Sequence, residues 1–323
     1  MICIMIKIHK ACALSIVCAL LFFSQTYGQS PGFGATEGYM SFGVQFNAMN
    51  FRGDVYSDFS MTRPGLQIHA MRKLGSRIHA RLSLGFGQIF GDDIKASTTS
   101  TKYARNLHFR NNLKELTLVG TYDLVNSPSR YYQRAGFTPY VLAGLGVVHQ
   151  NPQARRESNT GAAGWVDLQA IGTEGQGRPG YDTPYNKMQI VIPLGIGLRW
   201  KLSRRWDFAI ETSVRLTFTD YLDDVGGNVA DPGDLVSDLA KTLSNRSLDA
   251  RGAVNGTARD IGALREQYGT TNFVAFDGRT YENLNGLGVG STRGSRGRDI
   301  YFVTGFHFTY ILDTGLQCPQ VKW

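Results

Sequence analysis

The chain has 323 residues, of which 34 are basic and 26 acidic, and it is 42% hydrophobic with 38 glycines and four cysteines. Its formal net charge of +8 is modest for this length, which argues against a nucleic-acid-binding protein. After residue 28 no uninterrupted apolar run is long enough for a membrane helix. Abundant glycine together with many hydrophobic residues favours an all-β chain, and a barrel in particular.

The first 28 residues predict a secretory signal peptide. Lys7 and Lys10 precede an apolar run at 11–23, which is shorter than the roughly 20 residues of a spanning helix. Cys18 follows Val17 inside this run, so lipid anchoring at that cysteine is disfavoured. We expect a mature chain of residues 29–323 that keeps only Cys318 and therefore has no intramolecular disulfide.

The clearest structural signal is a pair of long alternating segments at 188–221. Every second residue from Ile190 to Trp200 is apolar, and after residues 202–205 the alternation resumes with Glu211 and Arg215 on the face opposite the apolar one. Strands of this length exceed the about 5 to 6 residues of soluble sandwiches and suit the about 9 to 11 residues that cross a bilayer. The hairpin therefore predicts a transmembrane barrel with lipid outside and a polar lumen inside.

The same two-residue period recurs along the chain and predicts eight strands. They are placed at 37–49, 64–72, 78–89, 112–124, 137–149, twice within 188–221, and at 298–312. Connections after strands 2, 4 and 6 are short and the others long, as in barrels whose short turns face the periplasm. We therefore predict an all-β fold: an eight-stranded antiparallel transmembrane β-barrel with long extracellular loops, in the outer membrane of a Gram-negative bacterium, with both termini periplasmic. Trp200 and Trp206 bracket the turn 202–205, where they are expected at the headgroup level.

The lumen of such a barrel is expected to be plugged, because an eight-stranded interior is filled by side chains. Five inward-facing charged residues are long enough to form ion pairs across it: Arg81, Glu115, Arg199, Glu211 and Arg215. This expectation weighs against the second function considered, a small outer-membrane porin or channel.

The segment 222–297 is too long for a bare loop, and we predict that it is extracellular and partly helical. Asp231 and Pro232 can open a helix that carries a row of leucines, Leu235, Leu239 and Leu243. The glycine-rich stretch 286–297, with Arg293 and Arg296, lacks the ending of a phosphate-binding loop and is predicted to be a mobile basic surface loop.

No catalytic or metal motif is visible, so we predict a protein that is not an enzyme and has no cofactor or metal. Five histidines are scattered singly and are expected to be satisfied in the lumen or loops: His69, His79, His108, His149 and His307. Asp220, Asp223 and Asp224 lack the alternating ligands of a calcium loop, and hydrogen bonding that pins the rim is favoured. Glu174 has no paired carboxylate and is taken as structural. An outer-membrane hydrolase is the third function considered, which a Ser-His or Asp-His constellation at a loop or rim would favour.

Several local motifs carry a resemblance to a known family. They include Arg105-Asn-Leu-His-Phe109 before strand four, Thr173-Glu174-Gly175-Gln176-Gly177 in the long loop after strand five, and the run Asp220, Tyr221, Leu222, Asp223 and Asp224 after strand seven. The set resembles the outer-membrane barrel family that includes PorG, a component of the type IX secretion machinery. The resemblance implies an eight-stranded barrel associated with a periplasmic ring built from a lipoprotein and its partner.

The sequence therefore predicts a non-enzymatic barrel that anchors or organises a periplasmic ring complex of a type IX-like secretion apparatus. Its expected partners are outer-membrane lipid, the ring lipoprotein and that lipoprotein's partner, with no nucleic acid. Residues expected to be available for periplasmic docking are Lys201, Arg204, Arg205, Cys318 and Trp323. The alternative is that the basic turns contact lipid headgroups and that the tail is frayed.

Overall fold

The computed structural model describes residues 38–127, 131–156, 164–284, 288–295 and 297–312. The predicted signal peptide, Cys318, Trp323, Gly286 and Arg296 lie outside these ranges. Among the helices within them, none has the length and apolar character needed to span a bilayer.

The described chain forms twelve strands and four helices, and eight of the strands are long. The strands are β1 Met40–Arg52, β2 Arg63–Lys73, β3 Ile78–Asp92, β4 His108–Asp123, β5 Phe137–His149, β6 Pro152–Arg156, β7 Gly164–Asp167, β8 Met188–Lys201, β9 Trp206–Thr217, β10 Thr271–Val274, β11 Thr280–Asn283 and β12 Ile300–Leu312. The helices are α1 Thr101–Arg105, α2 Leu168–Ile171, α3 Asp238–Ser244 and α4 Ile261–Tyr268.

Eight of these strands close into an antiparallel barrel, which confirms the predicted fold. Around the barrel the order is β3, β2, β1, β12, β9, β8, β5 and β4, and pairing between β3 and β4 closes it. The β6–β7 hairpin continues from the edge of β4, and β10 and β11 form a separate two-stranded sheet. Met40 is the register partner of Leu312, so β1 begins and β12 ends at the same end of the barrel. We call this the turn end, because the connections 74–77 and 202–205 also lie there, and the opposite end the loop end.

The barrel is apolar outside, the reverse of a soluble protein. Large outward side chains such as Phe46 (57% exposed), Leu145 (64%) and Ile196 (61%) lie on the outer wall, while their inward neighbours such as Gln45 are buried. Near the turn end Trp206 packs against Tyr310, with ring centroids 5.0 Å apart. A belt of apolar side chains with aromatic rings towards one edge is the surface that a bilayer requires.

The interior is layered, which corrects the prediction of a polar lumen throughout. Inward-facing residues are mostly polar from the turn end to beyond the middle, where Val119, Tyr140, Leu142 and Ala209 form a small apolar cluster. At the loop end a larger apolar layer fills the interior. This layer consists of Met49, Phe51, Val55, Ile89, Leu107, Phe109, Leu113, Val148, Val191, Leu222, Val225, Tyr301 and Val303. The loops fold over this end, so its side chains pack against protein and gain free energy from burial.

The long connection after β9 carries structure of its own, but the predicted helix starts in a different place. Helix α3 begins at Asp238, where the Ser237 hydroxyl accepts a hydrogen bond from the Ala240 amide at 3.1 Å. Pro232 instead lies in a turn, in which its carbonyl accepts a hydrogen bond from the Leu235 amide at 3.3 Å. Leu235 lies outside the helix, because Ser237 supplies the cap that fixes the helix start. Leu235 is nevertheless buried.

Candidate functional site: a sealed lumen and an ordered loop cap

The turn end of the barrel is closed by Arg134, a residue that the sequence did not single out. Its guanidinium donates to Asp207 at 2.7 Å and to the backbone carbonyls of Ser203 at 2.9 Å and Arg204 at 2.7 Å. The connection between β4 and β5 thus reaches the turn between β8 and β9. One buried arginine holds the two connections together across this end.

Directly inside this closure lies a second group of charged side chains. Asp123 accepts from His79 at 3.0 Å and from Arg199 at 3.2 Å. Arg199 also lies over the Tyr140 ring, 4.7 Å from its centroid. Arg199 therefore finds its partner in a residue that was not among the predicted lumen charges, although Asp123 has the same inward parity on β4 as Glu115.

The middle of the lumen is crossed by Arg81 and Glu211. The two side chains form a bidentate pair with nitrogen-to-oxygen distances of 2.7 Å and 2.8 Å, and Tyr140 donates its hydroxyl to the same carboxylate at 2.8 Å. His307 lies 3.5 Å from Glu211. Buried ion pairs are tolerated when further hydrogen bonds satisfy the charges, as Tyr140 does here.

A third pair lies towards the loop end, between Arg215 and Glu115. Arg215 Nε is 3.0 Å from Glu115 Oε1, Tyr301 donates its hydroxyl to the same carboxylate, and Arg215 donates to Ser213 at 2.6 Å. The cavity beside this pair measures about 10 Å³, the room of about one water molecule. The structure thus brings together the predicted lumen charges Arg81, Glu211, Glu115 and Arg215 in two buried ion pairs.

Above the apolar layer, Arg293 holds the loops together, so the prediction of a basic surface loop is wrong for this arginine, while the predicted mobility of the stretch stays a prediction. Its guanidinium donates to the Thr173 hydroxyl at 2.9 Å and to the carbonyls of Asp224 at 3.2 Å and Leu243 at 3.1 Å. Arg293 is 6% exposed. The glycines and polar residues around Arg293 suggested an exposed side chain. In the structure Arg293 instead donates hydrogen bonds to buried carbonyls of the loops.

A second buried arginine, Arg105 from the motif before β4, joins the remaining loops to this arrangement. It donates to Asp93 at 2.8 Å, to the Asp54 carbonyl at 2.8 Å and to the Arg293 carbonyl at 3.0 Å. Arg105 and Arg293 between them contact all four connections at the loop end. We call the loop residues that these two arginines join the loop cap.

The two acidic motifs of the sequence meet inside the loop cap. Asp224 has a left-handed backbone (φ 67°) and accepts from Thr173 at 2.6 Å and from Tyr185 at 2.7 Å. Glu174 accepts from the Gly227 amide at 2.9 Å and pairs with Arg293 at 3.4 Å. Glu174 therefore links two loops in the structure, and the expectation that it has no acid–base role stays a prediction. Tyr221 stacks on Tyr185, with centroids 4.8 Å apart.

The other members of the two motifs also lie in the loop cap. Leu222 is fully buried in the apolar layer and donates its amide to Asp299 at 2.8 Å. Gly175 and Gly177 have positive φ angles, and a Cβ at Gly175 would collide with the Tyr181 ring. Gln176 donates its side-chain amide to Glu174 at 3.4 Å. The motifs thus specify how loops pack on one another.

Burial changes the acid–base properties of the loop cap. It raises the pKa of Glu174 to about 7, against the lowering effect of Arg293. Burial, reinforced by Asp54, likewise raises the pKa of Asp220 to about 7. Burial holds the pKa values of Asp223 and Asp299 well above their usual range, reinforced by Asp54 at Asp223 and by Asp223 at Asp299. The cap thus contains carboxyl groups that favour the protonated form at neutral or mildly acidic pH.

The carboxylates of the cap serve as hydrogen-bond acceptors in the structure. Asp223 accepts from the backbone amides of Val55 at 2.8 Å and Val225 at 3.0 Å. Within the described ranges, no group of three or more histidine, cysteine, aspartate or glutamate side chains is arranged to hold a metal ion. Asp223 and Asp224 thus fix the loops by accepting hydrogen bonds, and the expectation that the aspartates hold no metal stays a prediction.

The basic residues predicted for docking have different environments at the turn end. Lys201 donates to the Tyr132 carbonyl at 2.6 Å, Arg205 donates to the Tyr310 hydroxyl at 3.2 Å, and Arg204 is exposed. Because Arg134 holds the carbonyls of the same turn, Arg204 is presented from a fixed backbone. Cys318 and Trp323 lie outside the described residues.

An aspartate–histidine pair does occur near the turn end, which bears on the hydrolase alternative. His79 and Asp123 are in hydrogen-bond contact, but their side chains are 1% and 2% exposed and Arg199 shares the carboxylate. Their burial places the pair inside the barrel and away from solvent, where it acts as part of the lumen's charge network. The expectation that the protein is not an enzyme stays a prediction.

No family model matches the chain, and no curated protein matches it either. Solved structures with a similar fold include the Neisserial surface protein NspA, with 8% identity, a TM-score of 0.35, and coverage of 86% of this chain and 98% of that one. Ail of Yersinia pestis has 9% identity and a TM-score of 0.33, and the match covers 85% of this chain and 99% of that one. A major outer membrane protein of Thermus thermophilus has 10% identity and a TM-score of 0.37, and the match covers 84% of this chain and 99% of that one. Likenesses this distant carry no information about function.

Proposed function

We propose that this protein is a non-conducting outer-membrane barrel that acts by binding other proteins, as an assembly component of a type IX-like secretion apparatus. The observation that carries the proposal is the filled interior. Charged pairs from Arg134–Asp207 to Glu115–Arg215 are followed by the apolar layer and then by the loop cap. Side chains occupy the path that a transported solute would need, so the protein is expected to act through its outer surfaces, by binding.

The proposed role in secretion rests on the resemblance of the two acidic motifs to the barrel family that includes PorG. In the structure these motifs, residues 173–177 and 220–224, are the parts of the loop cap that meet around Arg293. We propose that the turn end faces the periplasm, as short turns do in barrels of this kind, with both termini there. The partners proposed on that side are a ring lipoprotein and that lipoprotein's own partner.

The proposed docking surface is the turn 202–205 together with the chain that continues beyond Leu312. Arg204 is exposed, and Arg205 lies beside Tyr310 on the neighbouring strand. The chain leaves the barrel at this same end, because Leu312 pairs with Met40. A basic turn on a rigid backbone, at the end of the barrel where β12 ends, suits an acidic partner surface.

Affinity purification of the tagged protein from crosslinked outer membranes tests the partner directly, with recovery of a ring lipoprotein expected. Reversing Arg204 and Arg205 to glutamate, or removing residues 317–323, should weaken that recovery while the barrel still folds. The matched control reverses Arg251 and Arg279, two exposed arginines in the connection at the loop end. Equal loss of the lipoprotein in the control would assign the effect to net charge and contradict the proposed surface.

Deletion of the gene tests the cellular role. If the protein is an assembly component, secreted cargo should accumulate in the periplasm of the deletion strain. Normal cargo export in that strain would contradict the secretion role and leave a barrel with a different binding function.

A further inference from the structure

The outer wall carries a groove that the proposed function does not use. It has a volume of about 820 Å³ and lies on β1, β12 and β9, below the connection between β1 and β2. Its floor is a row of three outward-facing residues that are neighbours in the sheet: Ala48 is opposite Thr304, and Thr304 is opposite Thr212. The two threonine hydroxyls are hydrogen-bonded to each other at 2.8 Å.

The floor is a depression because the rows on either side carry larger residues. Towards the turn end the neighbouring row is Phe46, Phe306 and Ile210, and towards the loop end it includes Asn50 and Phe302. Most outward positions of this wall hold bulky apolar side chains. Small side chains in one row therefore leave room for a hydrocarbon segment against the strands.

The connection between β1 and β2 overhangs the groove in a fixed position. Asn50 donates its side-chain amide to the Asp58 carbonyl at 2.7 Å, and Ser57 donates its hydroxyl to the Phe90 carbonyl at 3.0 Å. At the tip of this overhang Phe59 is 92% exposed. An aromatic ring presented beside a lipid-facing wall suits the interface between headgroups and acyl chains.

The mouth of the groove is basic. Arg52 is exposed on the same face of β1, four residues from Ala48 and so about 13 Å away along the strand. Within the described residues its guanidinium contacts no carboxylate. Lys102 also lines the mouth, and its ammonium group donates to the Gly53 carbonyl at 3.4 Å. The nearby Asp58 carboxylate is turned towards Ser60, whose amide and hydroxyl it accepts at 2.8 Å and 2.6 Å.

We propose that this groove is a binding site for one phosphorylated membrane lipid of the leaflet at the loop end. The lipid's phosphate contacts Arg52 and Lys102, and one acyl chain lies along Ala48 and Thr304 beneath Phe59. Charge complementarity favours an anionic headgroup, and the position in the lipid-facing wall favours an acyl chain over a soluble ligand. The site is independent of the secretion role, since it depends only on the barrel wall, the connection between β1 and β2, and Lys102 in the connection between β3 and β4.

Native mass spectrometry of the purified barrel in detergent tests the site, with diphosphorylated lipid A as the probe and the same lipid without phosphates as its comparison. The wild type should retain one phosphorylated molecule and bind the dephosphorylated one at least about tenfold more weakly. Arg52→Ala combined with Lys102→Ala should lose this preference. The control, Lys114→Ala, removes an exposed lysine from β4 and should leave it unchanged.

A second variant keeps the test independent of charge. Ala48→Phe with Thr304→Phe fills the floor with side chains that the lipid-facing wall already uses, so the folded, heat-resistant band should persist while retention of both lipids falls. Equal retention by all variants, or equal binding of the two lipids by the wild type, would overturn the proposal. A dimer that disappears in the filled-groove variant would also overturn it, by assigning the groove to a second copy of the chain.

Discussion

Arg81 on β3 and Glu211 on β9 form a two-bond ion pair across the middle of the barrel, at 2.7 Å and 2.8 Å, with both side chains almost fully buried. Three strands, β2, β1 and β12, separate these two on one side of the barrel. The pair therefore ties opposite parts of the wall through the lumen. Its removal should affect stability more than any surface pair would.

Glu211→Leu should lower the unfolding temperature of the heat-resistant band on semi-native gels. Arg81 would remain buried without its partner, and breaking a buried pair from one side costs about 3–5 kcal/mol. The double variant Arg81→Met with Glu211→Leu should recover part of the loss, because no charge is then left unpaired. An unchanged unfolding temperature in Glu211→Leu would refute an ion-paired interior.

Arg134→Ala should loosen the turn end. The carbonyls of Ser203 and Arg204 lose their donor and Asp207 loses its charged partner, so amide hydrogen exchange at residues 202–206 should accelerate. Arg204→Ala removes an exposed arginine from the same turn and serves as the control, with little change expected. Equal exchange rates in the two variants would show that Arg134 does not hold this turn.

Arg293→Met should open the loop cap while leaving the barrel intact. Carbonyls of residues 224, 243 and 244 would lose their donor, and Glu174 would lose its cation. Limited proteolysis should then cut the connection between β9 and β12 faster than in the wild type. The control is Arg279→Met, at an exposed arginine in the same connection. If both variants resist proteolysis alike, the loops are held by other contacts.

The loop cap should be more stable at mildly acidic pH than at alkaline pH. Burial raises the folded-state pKa of Glu174 to about 7, so between its ordinary value of 4.5 and 7 the folded state binds more protons than the unfolded state. Stability contributed by this group is therefore complete below pH 4.5 and declines as pH rises to about 7. The raised pKa values of Asp220, Asp223 and Asp299 act in the same direction.

Hydrogen exchange of the loop amides at pH 5.5 and pH 8, corrected for intrinsic rates, measures this dependence. Protection should be greater at pH 5.5, and Glu174→Gln should make the difference smaller because the amide does not titrate. Greater protection at pH 8 would mean that the Arg293 pair outweighs burial at Glu174.

The barrel was predictable from sequence because a bilayer imposes a strict two-residue alternation on each strand. Glu211 and Arg215 on one face and Ile210 and Val214 on the other are enough to assign inside and outside. The alternation disappears where the lumen meets the loop cap, since residues such as Phe51 and Ile89 are apolar and inward-facing. The apolar layer was missed for that reason.

The loop cap was less predictable, because its contacts join residues far apart in the chain. Nothing next to Arg293 in sequence indicates that its acceptors lie at residues 173, 224 and 243. Arg134 was likewise hidden, since it lies in the connection between β4 and β5 and its partner Asp207 lies on β9, 73 residues along the chain. Motif residues such as Asp224 and Glu174 were singled out in the sequence, but only the structure shows that each binds a residue of the other's loop: Asp224 binds Thr173, and Glu174 binds Gly227.

The most direct test of a sealed barrel is the electrical conductance of the purified protein in planar lipid bilayers. With the lumen crossed by the Arg81–Glu211 and Arg215–Glu115 pairs and covered by the loop cap, the wild type should show no stable conductance. Steady ohmic channels in the wild type would contradict a closed interior and favour the porin alternative.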